Sequence, residues 1–254
     1  MSDITDTTTS TPDVGGSAVT QERARDRQRK ILDAALSVFT RRGYKDASVD
    51  EIAGEAETSK GGVYFHFPGK NQLFRALMDF SARRLLDRVQ TAIDRESDPI
   101  ARADAALLTV LRAFEEHRAL ARLLMVDAPG AGSEFQQRSI ELHDQFIDLI
   151  RVHLDEAVAT AVIEPVDTTV ASRAWFGAFN EIILHWLLKG DPEHIQDAYT
   201  SLRELLMRSV GVRTAETRRI ADSQTRRSDD ESVKWANGQT GKAGDHAAGT
   251  GERQ

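Results

Sequence analysis

Between Ile31 and Val210 the apolar residues of this chain return every three or four positions, and no run alternates with period two for long enough to form a strand. That periodicity restricts the fold to packed helices. Ile31, Ala35, Val38 and Phe39 share one helical face, and Gly43 fits the left-handed position that ends a helix. Ser48 and Glu51 make an S-x-x-E capping box, opening a short second helix through about Ala56. A third starts near Ser59 and has to stop before Pro68. A fourth covers about 71–95, with Leu73, Leu77, Phe80 and Leu85 inward. Asp98 and Pro99 supply an N-cap and an N1 proline to a fifth that reaches about Glu116, and a further helix covers roughly 118–127. After the loop Pro129-Gly130-Ala131-Gly132, a long amphipathic helix runs from Ser133 to about Ile163. Asp167 caps the next, which ends at Gly190, and Asp191-Pro192 opens the last, to about Val210. The expected fold is all-α, with about nine helices.

The ends read differently. Residues 1–19 and 212–254 are rich in small, polar and charged residues and are expected to be disordered tails, with Trp235 a lone aromatic in the second. The N-terminus has no apolar segment of the signal-peptide kind, and the most apolar run, Ala174 to Leu188, contains Glu181 and is too short to span a bilayer. There is no cysteine, so disulfides and thiolate metal sites are excluded. The expectation is a cytoplasmic protein without membrane contact. Net charge is −7, but it is unevenly placed. Residues 20–75 hold eleven Lys and Arg against eight Asp and Glu, net +3; residues 76–211 hold fourteen against twenty-two, net −8. A basic head, 20–75, on an acidic body, 76–211, suits a protein that touches nucleic acid with one end.

The head contains the densest local signal, SKGGVYFHFPGK, residues 59–70. Gly69-Lys70 resembles the end of a phosphate-binding loop, but Tyr64 stands where that loop needs glycine, Asn71 where it needs Ser or Thr, and no strand precedes it. The better reading is a helix-turn-helix: a capped helix, the turn residues Glu57, Thr58 and Ser59, and a second short helix. Gly61 and Gly62 each cost about 1 kcal/mol relative to alanine inside a helix, which points to close backbone approach there. Val63 and Phe67 share the face that packs inward, leaving Lys60, Tyr64 and His66 for DNA, while Pro68-Gly69 places Lys70 at a phosphate.

From Ser48 through Lys70, with the capping box, turn, aromatic-rich helix and PGK exit in order, the chain resembles the DNA-binding segment of TetR-type transcriptional regulators over about residues 27–87. The resemblance implies that Ser48, Ser59, Lys60, Gly61, Gly62, Tyr64, His66 and Lys70 face DNA, and that residues 76–211 form a ligand-binding and dimerisation domain. The chain departs from the pattern in three places. Glu57 replaces a turn glycine, Gly62 replaces the common threonine, and Gly54 interrupts the supporting helix.

In the body, the helix 167–190 is apolar nearly all round, so it is expected to bury one side in its own domain and another against a second copy. Its polar members Glu181 and His185 stand at i, i+4 and are read as a pair. By the resemblance, the fourth to eighth helices wall a ligand pocket, with Leu107, Leu111, Phe114, Met125, Phe146, Ile150, Trp175, Phe176 and Phe179 as candidates and a small hydrophobic effector, such as a fatty acyl chain or acyl-CoA, as occupant. His143 and His153 lack a carboxylate cluster at ligand spacing, so no metal is assigned; no cofactor and no catalytic constellation is assigned either. The expected function is a homodimeric repressor that binds a pseudo-palindromic double-stranded operator and is released by its effector. The competing class is an α-helical scaffolding protein whose head contacts protein.

Overall fold

The structure, a computed structural model, describes residues 14–212. Among the described residues there are nine α-helices and no strand. The tail residues 1–13 and 213–254, with Trp235, lie outside that range.

The first helix, α1 (Val14–Asp46), begins inside the stretch read as a tail. Its helical geometry breaks at Gly43, where φ is 77°, as the glycine there anticipates. In α2 (Val49–Glu55) the Ser48 hydroxyl accepts from the Glu51 N–H at 3.1 Å, while the Glu51 carboxylate accepts from the Ser48 N–H at 3.3 Å. Ser59 opens α3 (Lys60–His66), which stops one residue before Pro68 is reached. Helix α4 (Lys70–Asp94) crosses the expected head–body boundary without a break, and Asp98 caps α5 (Pro99–Glu116) by accepting from the Ala101 N–H at 2.8 Å.

The next segment is not one α-helix. A short α6 (Arg118–Arg122) passes into a π-helical turn, Leu123–Asp127, closed by the Ala128 N–H on the Leu123 carbonyl at 2.9 Å. The wider turn lets both Leu123 and Ala128 bury in the head core. Helix α7 (Ser133–Ala159) ends a few residues earlier than its apolar pattern implies, with Ala161 at φ 55° reversing the chain. Helix α8 (Thr168–Lys189) starts at Asp167 and ends at Gly190, where φ is 73°. The last helix does not start at Pro192: a 3-10 turn, Ile195–Ala198, comes first and α9 is Tyr199–Ser209. The loop in between is held by its own packing, with Ile195 fully buried and Trp186 Nε1 donating to the Glu193 carbonyl at 3.5 Å.

Two cores result. The head core gathers Ile31, Val38, Phe39, Ile52, Val63, Phe74 and Leu77, and four residues from beyond α4 join it: Leu123, Ala128, Phe135 and Leu142. The body core is built on Leu111, Ile183, Trp186 and Leu202. Across α5 and α9 it contains an ion pair, Asp104 with Arg203, both almost wholly buried and bonded through two N–H groups. A forked pair of this kind sets the register of two helices even where its net contribution to stability is small.

Candidate nucleic-acid interface and ligand cavity

Helices α2 and α3 present a small, firmly based surface. Val49, Ile52 and Ala53 bury the inner side of α2, and Val63 with Phe67 buries that of α3. Outward, α3 shows Lys60, Gly61, Tyr64 and Phe65. Tyr64 is 42% exposed and Phe65 84%. Phe65 was not among the residues chosen from sequence. Its position carries the signal: it lies two residues beyond Val63, roughly 200° around the helix from the buried side. His66 is half-buried, its ring 5.2 Å from that of Phe65.

The remaining candidates differ in how free they are. Lys60 Nζ donates to Asp50 Oδ2 at 2.7 Å, so a carboxylate of α2 holds the leading cation of α3. That hydrogen bond, then the charge, raises the lysine's pKa. Ser48 and Ser59 are caps, the latter accepting from the Gly62 N–H at 3.0 Å. A Cβ at Gly62 would sit 2.5 Å from the Thr58 hydroxyl, whereas Gly61 meets only Ser59 Oγ at 3.8 Å. Glycine at 62 therefore fits the turn that precedes it. Lys70 is turned inward: its ammonium donates to the carbonyls of Lys45 and Ala47 at 2.9 and 3.0 Å and stands 4.8 Å from the Tyr44 ring centre. It ties the end of α1 to the start of α4. Glu57 adopts φ 50° in the turn. Sequence reading also passed over a run of exposed cations on α1, namely Arg23, Arg25, Arg27, Arg29 and Lys30.

The body holds two cavities, both partly open at its surface and called inner and outer by their distance from the head. The inner one, about 120 Å³, lies among α4, α5, α7, α8 and α9 and includes Leu107, Ile150 and Trp175. The outer one, about 250 Å³, lies among α1, α4, α5, the α6 segment, α7 and α8 and includes Phe114, Met125 and Phe176. Phe146 and Phe179 line both. Leu111 lines neither; it is fully buried in the body core. Helix α9 supplies Leu206 and Met207 to the inner wall, beyond the fourth to eighth helices expected to form the pocket. The polar residues Arg84, Arg88, His117 and His143 at the outer cavity were also missed, because each reads in sequence as an ordinary solvated position. His143 stands over Phe176 at 4.9 Å, and burial pushes its pKa down, so the wall is neutral there. His153 belongs to the inner cavity, so the two histidines of α7 do not converge. Glu181 and His185 are both exposed and form no ion pair with each other. No helix among the described residues is long and apolar enough to cross a membrane.

Known proteins fall in with this geometry. Residues 31–77 match the family model for bacterial regulatory proteins of the tetR family, and residues 96–208 match a tetracyclin repressor-like C-terminal domain. The HTH-type transcriptional regulator SrpR of Pseudomonas putida is 26% identical over 180 residues, covering 67% of this chain and 78% of SrpR. The fatty acid metabolism regulator protein of Bacillus subtilis is 20% identical over 190 residues, covering 74% of this chain and 98% of that one. Among solved structures, the transcriptional regulator FadR of Bacillus subtilis in complex with stearoyl-CoA aligns with a TM-score of 0.64 at 20% identity, over 72% of this chain and 97% of that one.

Proposed function

This chain belongs to the TetR family of bacterial regulatory proteins and is a DNA-binding regulator rather than an enzyme; from that premise we propose that it is a homodimeric repressor released from its operator by a hydrophobic effector. The observation that carries the reading is the surface of α3, where Lys60, Tyr64 and Phe65 stand exposed on a helix fixed from behind by Val63 and Phe67. Such a helix enters the major groove, and two copies related by a two-fold axis read two half-sites. A second copy has a place to dock. The exposed side of α8 carries Val170, Ala174, Gly177 and Leu188, with Leu205 exposed on α9. A Cβ at Gly177 meets nothing within 4 Å, so the backbone there is open to close approach by another helix. A regulator of this kind works where the chromosome is, in the cytoplasm.

Release follows from the outer cavity. Its walls include Leu36 of α1, Met78 to Arg88 of α4, and Ser139 to Phe146 of α7. Helices α4 and α7 both continue into the head core, so filling the cavity shifts the head against the body and changes the spacing of the two heads. An acyl chain or acyl-CoA fits the apolar lining, and the relative solved with stearoyl-CoA supports that class.

The test is selection of bound sequences from a random duplex pool by the purified protein. A pseudo-palindromic site is the expected product, and absence of any enriched sequence at low salt overturns the reading. On the selected duplex, Lys60→Ala weakens binding by about 1–3 kcal/mol. Asp50→Asn has the opposite effect, because it frees Lys60 and removes a carboxylate from the surface facing the phosphates.

A further inference from the structure

The two cavities have three walls in common: Val110 of α5, Phe146 of α7 and Phe179 of α8. They are therefore two chambers that adjoin across these three side chains. Phe179 is braced from the outer side, its ring edge-on to Phe176 at 5.1 Å. The chambers also differ in charge. In the inner one the cation Arg102 is held by Glu156 at 2.8 Å, with His153 beside the same carboxylate at 3.7 Å. In the outer one Arg88 is held by Glu116 through two bonds of 2.7 and 3.0 Å. Arg84 is the exception: it lines the outer chamber, lies 5.5 Å from the Phe80 ring centre, and has no carboxylate partner among the described residues.

We infer that the effector is a straight-chain amphiphile with an anionic head, that Arg84 receives the head, and that Val110, Phe146 and Phe179 form a gate deciding whether its tail reaches the inner chamber. The inference rests on the effector reading above and extends it to specificity. A short chain occupies the outer chamber alone. A long chain passes the gate, and each methylene it then buries tightens binding by roughly fourfold. An unpaired guanidinium at an open mouth favours a carboxylate or phosphate head, which it can bind through two N–H groups at once.

The experiment titrates the purified full chain with octanoate, palmitate, hexadecanol and palmitoyl-CoA, with DNA binding on the selected duplex measured in parallel. Wild type should prefer palmitate to octanoate by far more than tenfold. Val110→Trp, which plugs the gate, should abolish that preference, with palmitate losing far more affinity than octanoate. Phe179→Ala, which opens it, should preserve or increase the preference, so a folding defect in the first variant leaves the second as the test. Arg84→Gln should weaken palmitate about tenfold or more and leave hexadecanol unaffected. If palmitoyl-CoA binds tighter than palmitate and is weakened by Arg84→Gln, the head is the phosphate-bearing one; the reverse order names the free carboxylate. Equal affinity for octanoate and palmitate in wild type, or equal losses for both in Val110→Trp, overturns the gate. A chain that binds its operator but no amphiphile loses this inference alone, whereas a chain with no operator loses the regulatory reading whatever its chambers bind.

Discussion

Phe135, near the start of the body helix α7, meets Phe74 of α4 edge-on, their ring centroids 5.1 Å apart and their planes at 85°. Tyr44 completes the cluster, 5.0 Å from Phe135 and 4.8 Å from Phe74. The head is thus not closed on itself. A body residue that is 1% exposed fills part of its core, and the helix bearing that residue goes on to wall the outer chamber.

Phe135→Ala should destabilise the protein by about 3–5 kcal/mol, the range for emptying a well-packed aromatic site. Denaturant unfolding of the full chain measures it. The head should suffer beyond the stability loss: in conditions where the variant is still folded, the effector should release DNA less completely, because α7 then holds the head core through Leu142 alone of its two buried residues there. Full effector response in a folded Phe135→Ala variant would place the coupling in α4 and the other body residues of the head core, not in Phe135.

Lys70 gives a second prediction. Two of its ammonium protons go to carbonyls at the end of α1, in a partly buried setting where bonds from a charged donor contribute about 1.5–3 kcal/mol each at most. Lys70→Ala should therefore lower the melting temperature, while the slope of log affinity against log salt on the operator stays as in wild type. A slope reduced by about 1 would return Lys70 to a phosphate.

These two residues show what could be read from sequence and what could not. The starts of α2, α3, α5 and α8 were legible because Ser48, Ser59, Asp98 and Asp167 act on N–H groups two or three positions away. The inward and outward sides of α3 were legible for the same reason, since Val63 and Phe67 fix the phase of a helix this short. Lys70 instead finds its acceptors 25 and 23 residues back, across a helix–helix contact that no local pattern encodes. Phe135 looked like any apolar residue of α7, and its burial in the other core depends on how the π-helical turn redirects the chain before it. Leu111 is put at the cavity by the family resemblance and its apolar side chain, neither of which separates a cavity wall from a filled core.

His194 makes stability depend on pH. Its Nδ1 lies 2.7 Å from Glu115 Oε1, joining the loop before α9 to α5, and that hydrogen bond, followed by the carboxylate's charge, raises the imidazole's pKa. The folded value lies above the unfolded one. The contribution is therefore complete below the ordinary histidine range and is lost as pH rises through the raised folded value. Thermal melts of wild type and His194→Gln across that window should converge at the alkaline end, with wild type the more stable at the acid end. Parallel curves would show that the contact does not titrate.

Glu57 closes α2 in the left-handed region, at φ 50°, where the Thr58 N–H reaches back to the Ala53 carbonyl at 3.0 Å. The turn geometry needs that conformation, and glutamate adopts it at a cost of about 1–2 kcal/mol that glycine does not incur. Glycine has more freedom to lose on folding, which offsets part of the gain. Glu57→Gly should still raise stability, by about 1 kcal/mol, the balance of those two effects. It also removes an exposed carboxylate one turn from the Lys60 surface, so operator affinity should rise at low salt and approach wild type as salt increases. A gain in melting temperature with no change in affinity would place Glu57 away from the phosphates. A loss in both would mean that its side chain, rather than its backbone, holds the turn.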